Sequence, residues 1–163
     1  RAFRARRKLP LVVAPFKVFT HLHSRSGFER AIGAVKAHLA HGGLFVFDVR
    51  LPDARELARD PDRVYRVGKV VRGTGDARRK VFYRERFEYD PVTQIQTIDM
   101  AFVGVDDPLD FEITPLTQRH YFPAELEALL AYNGLAIEER HGDFEGNALD
   151  EVSDSQVLFC RRA

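Results

Sequence analysis

Two histidines one residue apart, His21-Leu22-His23, form the densest group of chemistry-bearing side chains in the first third of the chain. In extended backbone, residues i and i+2 point the same way and can share a metal ion; His38, His41, His120 and His141 add imidazoles elsewhere. No carboxylate or thiolate completes a recognisable ligand spacing, so no metal site is expected, and His21 reads as a packing or substrate-contact residue. Asp48 closes an otherwise apolar run, Leu44-Phe45-Val46-Phe47-Asp48-Val49. A buried carboxylate without donors is expensive, so Asp48 is expected to tie down a neighbouring loop rather than to touch a ligand. Cys160, the single cysteine, falls in an apolar segment and reads as a buried, inert thiol. There is no G-x-S-x-G elbow and no G-x-x-x-x-G-K-[ST] loop, and Gly73-Thr74-Gly75 precedes strand-like residues rather than a helix. Nucleophilic hydrolysis and a nucleotide cradle are therefore not expected of these residues.

The elements that position these groups alternate between strand and helix. Leu9 to Phe16 is a short apolar run with adjacent valines and reads as a strand buried on both faces. Phe28, Ile32, Val35 and Leu39 then recur at helical spacing, with Ser26 and Glu29 as an S-x-x-E capping box and Gly42-Gly43 as the stop. With the run from Leu44 to Val49 this makes a βαβ unit, whose strands should be parallel. A short helical turn is expected over residues 52–59 and a flexible loop over Gly73-Thr74-Gly75-Asp76. Strands are expected over residues 64–71, 81–89 and 93–105, with Asp90-Pro91-Val92-Thr93 turning an antiparallel hairpin. Alternation of Arg84, Arg86 and Glu88 with Glu85, Phe87 and Tyr89 gives that hairpin one wet face and one mostly apolar face. Pro123 at a first helical position, the stripe of Leu126, Leu129 and Leu130, and Gly134 as a stop define a last helix. Strands follow over residues 135–140 and 156–160, joined by a polar loop.

Composition narrows the class. The 163 residues fit a single domain, and 45% apolar residues with 13 Phe supply a core. Twenty-five basic against 24 acidic residues leave a net charge of +1, which argues against a surface built for polyanions. The basic opening RAFRARRK reads as a solvated tail, since nothing aromatic beyond Phe3 interleaves with it, and no nucleic-acid partner is expected. A lone cysteine cannot form an internal disulfide, and no apolar run reaches the roughly 18 residues of a membrane span. A soluble cytoplasmic protein without membrane contact is expected. The only methionine is Met100 and the sequence opens at Arg1, so a C-terminal piece of a longer protein is expected.

In order and spacing, four segments resemble a class I S-adenosylmethionine-dependent methyltransferase: LPLVVAPFKVFTHL, HGGLFVFDVRLPD, RHYFPAELEALLAYNGLAIEERHGDF and SDSQVLFCRR. The resemblance spans nearly all 163 residues and implies an α/β fold. That fold would be a partial Rossmann-like doubly wound sheet, strands four to seven of a seven-stranded methyltransferase sheet, with an inserted antiparallel β lid over residues 64–116. It implies an S-adenosylmethionine cofactor and methyl transfer to a small-molecule acceptor. By the same resemblance Ala14, Pro15 and Phe16 lie beside the cofactor's methionine end. His21 and Tyr121 would be catalytic, and Arg119 and Asp143 would face the substrate. Lys17 stands where the family often has Asn or Asp, so an amine-methylating role resting on that residue is not expected. The family's glycine-rich cofactor loop and the acid that ends its second strand are not in this chain. Pairing with a missing N-terminal segment, or homo-oligomerisation, would complete the sheet. The alternative reading is a non-catalytic α/β module, or a truncated fragment acting through association with a partner chain.

Overall fold

A computed structural model describes residues 7–75 and 78–163. Arg1, Arg4 and Arg6 of the basic opening, and Asp76 of the expected flexible loop, lie outside the described residues. The chain divides into two compact units, one formed by residues 1–52 and 119–163 and the other by residues 53–118. Among the described residues no helix is long and apolar enough to cross a membrane.

The first unit is a four-stranded sheet in the order β1-β2-β8-β7, built from β1 (Leu9–Ala14), β2 (Leu39–Arg50), β7 (Leu135–His141) and β8 (Ser155–Arg162). As the βαβ reading requires, β1 and β2 are parallel, with Ala14 opposite Phe47. β8 runs antiparallel to both of its neighbours. Phe45, Phe47, Val49, Leu158 and Cys160 of β2 and β8 meet Phe28 and Ile32 of α1 (Arg25–His38) and Leu126 and Leu130 of α3 (Pro123–Tyr132) in one core. Phe19 joins it from a 3-10 turn, Val18–His21, with its ring 4.8 Å from that of Phe47 and 5.5 Å from that of Phe28.

Three local expectations are corrected. Among the described residues β1 lies at the sheet edge rather than buried on both faces: Val12 and Ala14 pack on the core, whereas Leu11 and Val13 are half exposed. The cap of α1 is Ser24, whose Oγ accepts from the Gly27 amide at 3.1 Å, while Glu29 pairs with Arg25 at 2.6 Å instead of closing a box with Ser26. The helix also stops at His38, before the glycines. Leu39 is buried opposite Leu9, and this pairing pulls the chain into β2 early. Between Leu39 and Leu44 the register shifts, because Leu9 and Leu11 of β1 face them, and Gly42 (φ 67) sits inside the resulting bulge. At α3 the reading holds: Pro123 opens the helix and Gly134, at φ 70, follows its cap.

The second unit is an antiparallel sheet in the order β3-β4-β5-β6, from β3 (Tyr65–Arg72), β4 (Arg79–Asp90), β5 (Ile95–Gly104) and β6 (Phe111–Arg119), preceded by the single turn of α2 (Ala54–Leu57). The hairpin turns where expected, with Asp90 Oδ1 accepting from the Val92 amide at 2.8 Å and Oδ2 from the Thr93 hydroxyl at 2.7 Å. Phe87 is buried under the Arg59 guanidinium at 4.2 Å, whereas Arg86 and Glu88 are exposed. β6 was not legible as a strand: Pro115 breaks its pattern, and the break is tolerated because β6 is at the sheet edge. The sheet carries an open groove of about 430 Å³ whose lining includes Val64, Arg84, Asp99, Ala101, Val103 and Phe111.

Candidate active site

The loops that leave β1 and β2 emerge at one edge of the sheet, since the two strands are parallel and in register. β7 runs the same way, being antiparallel to β8 as β2 is, so Asp143 also leaves at that edge. In open α/β sheets this carboxyl edge is where ligands bind.

The loop after β1 is strained. Phe16 (φ 63) and Lys17 (φ 57) are consecutive non-glycine residues in the left-handed region, each at a cost of roughly 1–2 kcal/mol. Asp48, 2% exposed, holds the turn: its Oδ1 accepts from the Lys17 amide at 3.0 Å, which is the loop-tying role expected of it. The Lys17 carbonyl in turn accepts from the Thr20 amide at 2.9 Å and the Thr20 hydroxyl at 2.7 Å. Ala14 and Pro15 are half-buried, while the Phe16 ring is held out at 90% exposure. Strain of this kind, maintained by a buried acceptor, is a mark of functional loops.

His21 ends the 3-10 turn and is exposed, while its neighbours Phe19 and Thr20 are buried. The two carbonyls that follow it are held from the other segment of the unit. The Leu22 carbonyl accepts from the Tyr121 hydroxyl, and the His23 carbonyl accepts from Arg119 Nη1 at 3.4 Å. Tyr121 is fully buried, its ring 5.4 Å from that of Phe28, and burial pushes its phenol up to about 12. Arg119 lies over the Tyr121 ring at 4.9 Å and pairs with Glu125 at 2.6 Å. Arg119 and Tyr121 thus meet side chain to side chain, and both reach the segment that follows His21 through its backbone carbonyls. The sequence pattern did not distinguish these two kinds of contact.

Asp143 is placed differently. Its carboxylate accepts from the Glu145 amide at 2.9 Å, the Asn147 amide at 3.1 Å and the Asn147 side chain at 2.6 Å. These partners belong to its own loop, and the Asn147 side chain above all holds the carboxyl below the usual carboxylate range. His120, considered in the sequence only as one more imidazole, is 2% exposed between Arg119 and Tyr121. Burial first, then the charge of Arg50, lowers it to about 4, so it is neutral at pH 7. Cys160 is fully buried in β8, and burial pushes its thiol up to about 12. Among the described residues no group of three or more His, Cys, Asp or Glu is placed to hold a metal ion.

Two parallel strands, then an antiparallel strand inserted beside a further parallel one, define the carboxyl-terminal half of a Rossmann-like methyltransferase sheet. Solved structures match that fold along the whole chain. It is similar to the CcbJ methyltransferase from Streptomyces caelestis at 21% identity and a TM-score of 0.78, covering 100% of this chain and 61% of that one. A S-adenosylmethionine-dependent methyltransferase from Clostridium acetobutylicum matches at 16% identity and a TM-score of 0.70, over 99% and 61% of the two chains. CalS10, an amino pentose methyltransferase from Micromonospora echinaspora, matches at 18% and 0.63, over 99% and 61%. The fold is that of S-adenosylmethionine-dependent methyltransferases, and the chain spans about three fifths of the length of these structures. No family model and no curated protein matches the sequence.

Proposed function

We propose that this chain is the acceptor-side part of an enzyme that transfers a methyl group from S-adenosylmethionine to a small-molecule nucleophile. The observation that carries the reading is the fixed left-handed turn at Phe16-Lys17, followed by an exposed His21, at the carboxyl edge of a methyltransferase-type sheet. The residues present suit the methionine end of the cofactor: Ala14 and Pro15 line the strand end, and the displayed Phe16 ring offers a flat apolar wall. When bound, the cofactor supplies a methyl group that is already electrophilic, carried on a sulfonium.

What the chain adds is alignment and a proton acceptor. An acceptor nitrogen or oxygen that begins protonated must lose that proton as its bond to carbon forms. Imidazole is the side chain best suited to take it near neutral pH, and His21 is the exposed imidazole on the anchored turn. Asp143, kept ionised by Asn147, is our acceptor-side acid, fitted to a cationic group. Among the matching structures CalS10 is described as an amino pentose methyltransferase and KedS8 as a sugar N-methyltransferase, and we take an amine on a sugar-like small molecule as the acceptor class. Residues 64–116 are read as an insertion into one methyltransferase domain, and their sheet carries a groove of small-molecule size. A lone buried thiol is in keeping with a reducing cytoplasm.

The test is calorimetric titration of the intact protein with S-adenosylmethionine, followed by labelled methyl transfer to a panel of nucleotide-linked amino sugars and simple amines. Binding is expected, with turnover on at least one amine. His21→Gln should lower that turnover by about 10²- to 10⁴-fold with cofactor affinity unchanged. An intact protein that does not bind the cofactor overturns the reading.

A further inference from the structure

We propose that Tyr121 and Arg119 are positioning residues that act through His21 and do not touch the acceptor. The inference deepens the reading of His21 as the proton acceptor and rests on it. A side chain with no exposed surface cannot meet a ligand unless the core opens, and Tyr121 is 0% exposed among Phe28 and its core neighbours. Packing alone would be served by phenylalanine. The hydroxyl needs partners once buried: it hydrogen-bonds with the Arg119 side chain and donates to the Leu22 carbonyl, the first main-chain group beyond the His21–Leu22 peptide. Arg119 takes the next carbonyl, that of His23, at 3.4 Å, and is itself oriented by Glu125 at 2.6 Å and by the Tyr121 ring at 4.9 Å.

The turn that carries His21 is fixed just as locally. Leu22 donates back to the Phe19 carbonyl at 3.0 Å, Thr20 donates to the Lys17 carbonyl at 2.9 Å, and Lys17 is tied to Asp48 at 3.0 Å. His21 is thus an exposed residue of a turn tied at Lys17 by Asp48, closed around it by the Leu22–Phe19 bond, and held beyond it by Tyr121 and Arg119. Loss of the later pins leaves the imidazole in place chemically but free to drift, and a misplacement of about 1 Å at a reacting group lowers turnover by as much as ~10²-fold.

Because the effect runs through His21, it must vanish when His21 is gone. The experiment uses the intact protein, an amine on which the wild type turns over, and the variants Tyr121→Phe, Arg119→Lys, His21→Gln and His21→Gln/Tyr121→Phe. Amide exchange over residues 18–23 gives a readout that needs no turnover. Tyr121→Phe is expected to speed that exchange and to lower kcat by roughly 10- to 100-fold, with KM and S-adenosylmethionine affinity held within about twofold. Arg119→Lys, which keeps the charge but loses the planar fork, should act in the same direction more weakly. In the His21→Gln background, Tyr121→Phe should lower kcat by less than about twofold. Unchanged exchange in Tyr121→Phe overturns the tether whether or not the wild type is active. A rise in acceptor KM at constant kcat makes Tyr121 a substrate contact and overturns the proposal. An equal loss in both backgrounds does so as well. If instead His21→Gln leaves wild-type turnover intact, the reading of His21 as base fails, and the positioning role falls with it.

Discussion

At His120 and Tyr121 burial acts in one direction, favouring the neutral form of each. The Tyr121 phenol stays protonated and can donate to Leu22, and the His120 imidazole stays neutral beside the permanent charge of Arg50. Stability follows from the second of these with a definite sign. The folded value of His120, about 4, lies below the ordinary 6.5, so the unfolded chain binds the proton more readily. His120 therefore contributes fully above pH 6.5, and its contribution is lost as the pH falls toward about 4. Urea midpoints of the intact protein and of His120→Gln, followed from pH 7 down to 4, check this. The wild type is expected to lose more stability over that interval than the variant, whatever the fixed offset between them. Parallel curves would mean that His120 is already accessible to the proton in the folded state. Asp48 shows what could be read at this scale from sequence. An acid at the end of an apolar strand must find a donor, and the Lys17 amide is that donor. What could not be read is which donor, or that Phe16 and Lys17 adopt left-handed backbone, because neither residue type signals it. Tyr121 and Arg119 were named from the family resemblance, not from their own sequence pattern. A resemblance can suggest a position, but the direction of the Tyr121 hydroxyl, toward the Leu22 carbonyl, depends on the fold.

At the scale of elements, the sequence pattern located α1, α3, β1, β2, β3, β4, β5, β7 and β8, and failed where tertiary pairing competes with local signals. A capping box and a Gly-Gly stop both described α1 plausibly, yet the helix starts after Ser24 and stops before the glycines. Both ends shift toward the amino terminus, because burying Leu39 opposite Leu9 outweighs the glycine preference at the cap. The assignment of the cap is testable with two serines that differ only in position. Ser24→Ala removes the oxygen that accepts from Gly27, and should lower stability by about 1 kcal/mol. Ser26→Ala, whose hydroxyl meets only that of Ser24 at 3.3 Å, should change it by less than about 0.5 kcal/mol. Chemical denaturation of the two variants side by side distinguishes them; the reverse ranking would restore the capping box. β6 was missed for a different reason. A proline inside an alternating run argues against a strand unless the strand is an edge, and edge position is a property of the sheet, invisible in the run itself.

At the scale of the molecule, the first unit is assembled from two stretches separated by the residues of the second, and β8 is what joins them. Cys160 faces Phe45 of β2 on one side and Ile137 of β7 on the other, with Leu126 and Leu130 of α3 in the same core. Its thiol is fully buried and raised to about 12, so the folded protein offers almost no thiolate to an alkylating reagent. Modification must then proceed through opening of the sheet, and when closing is fast its rate measures the population of the open form. Cys160 is the one cysteine of these 163 residues, and mass mapping of the peptide that carries it assigns the readout to this strand. Labelling by iodoacetamide is expected to be slower than that of an unfolded control by many orders of magnitude. Leu130→Ala, a truncation on α3 far from residue 160 in sequence, should destabilise the core by about 3 kcal/mol and so speed labelling by roughly 10²-fold. That coupling would show that the two stretches open as one cooperative unit. A labelling rate indifferent to Leu130→Ala would show that β8 peels from β2 and β7 independently of the helical core, and the first unit would then be two weakly linked parts.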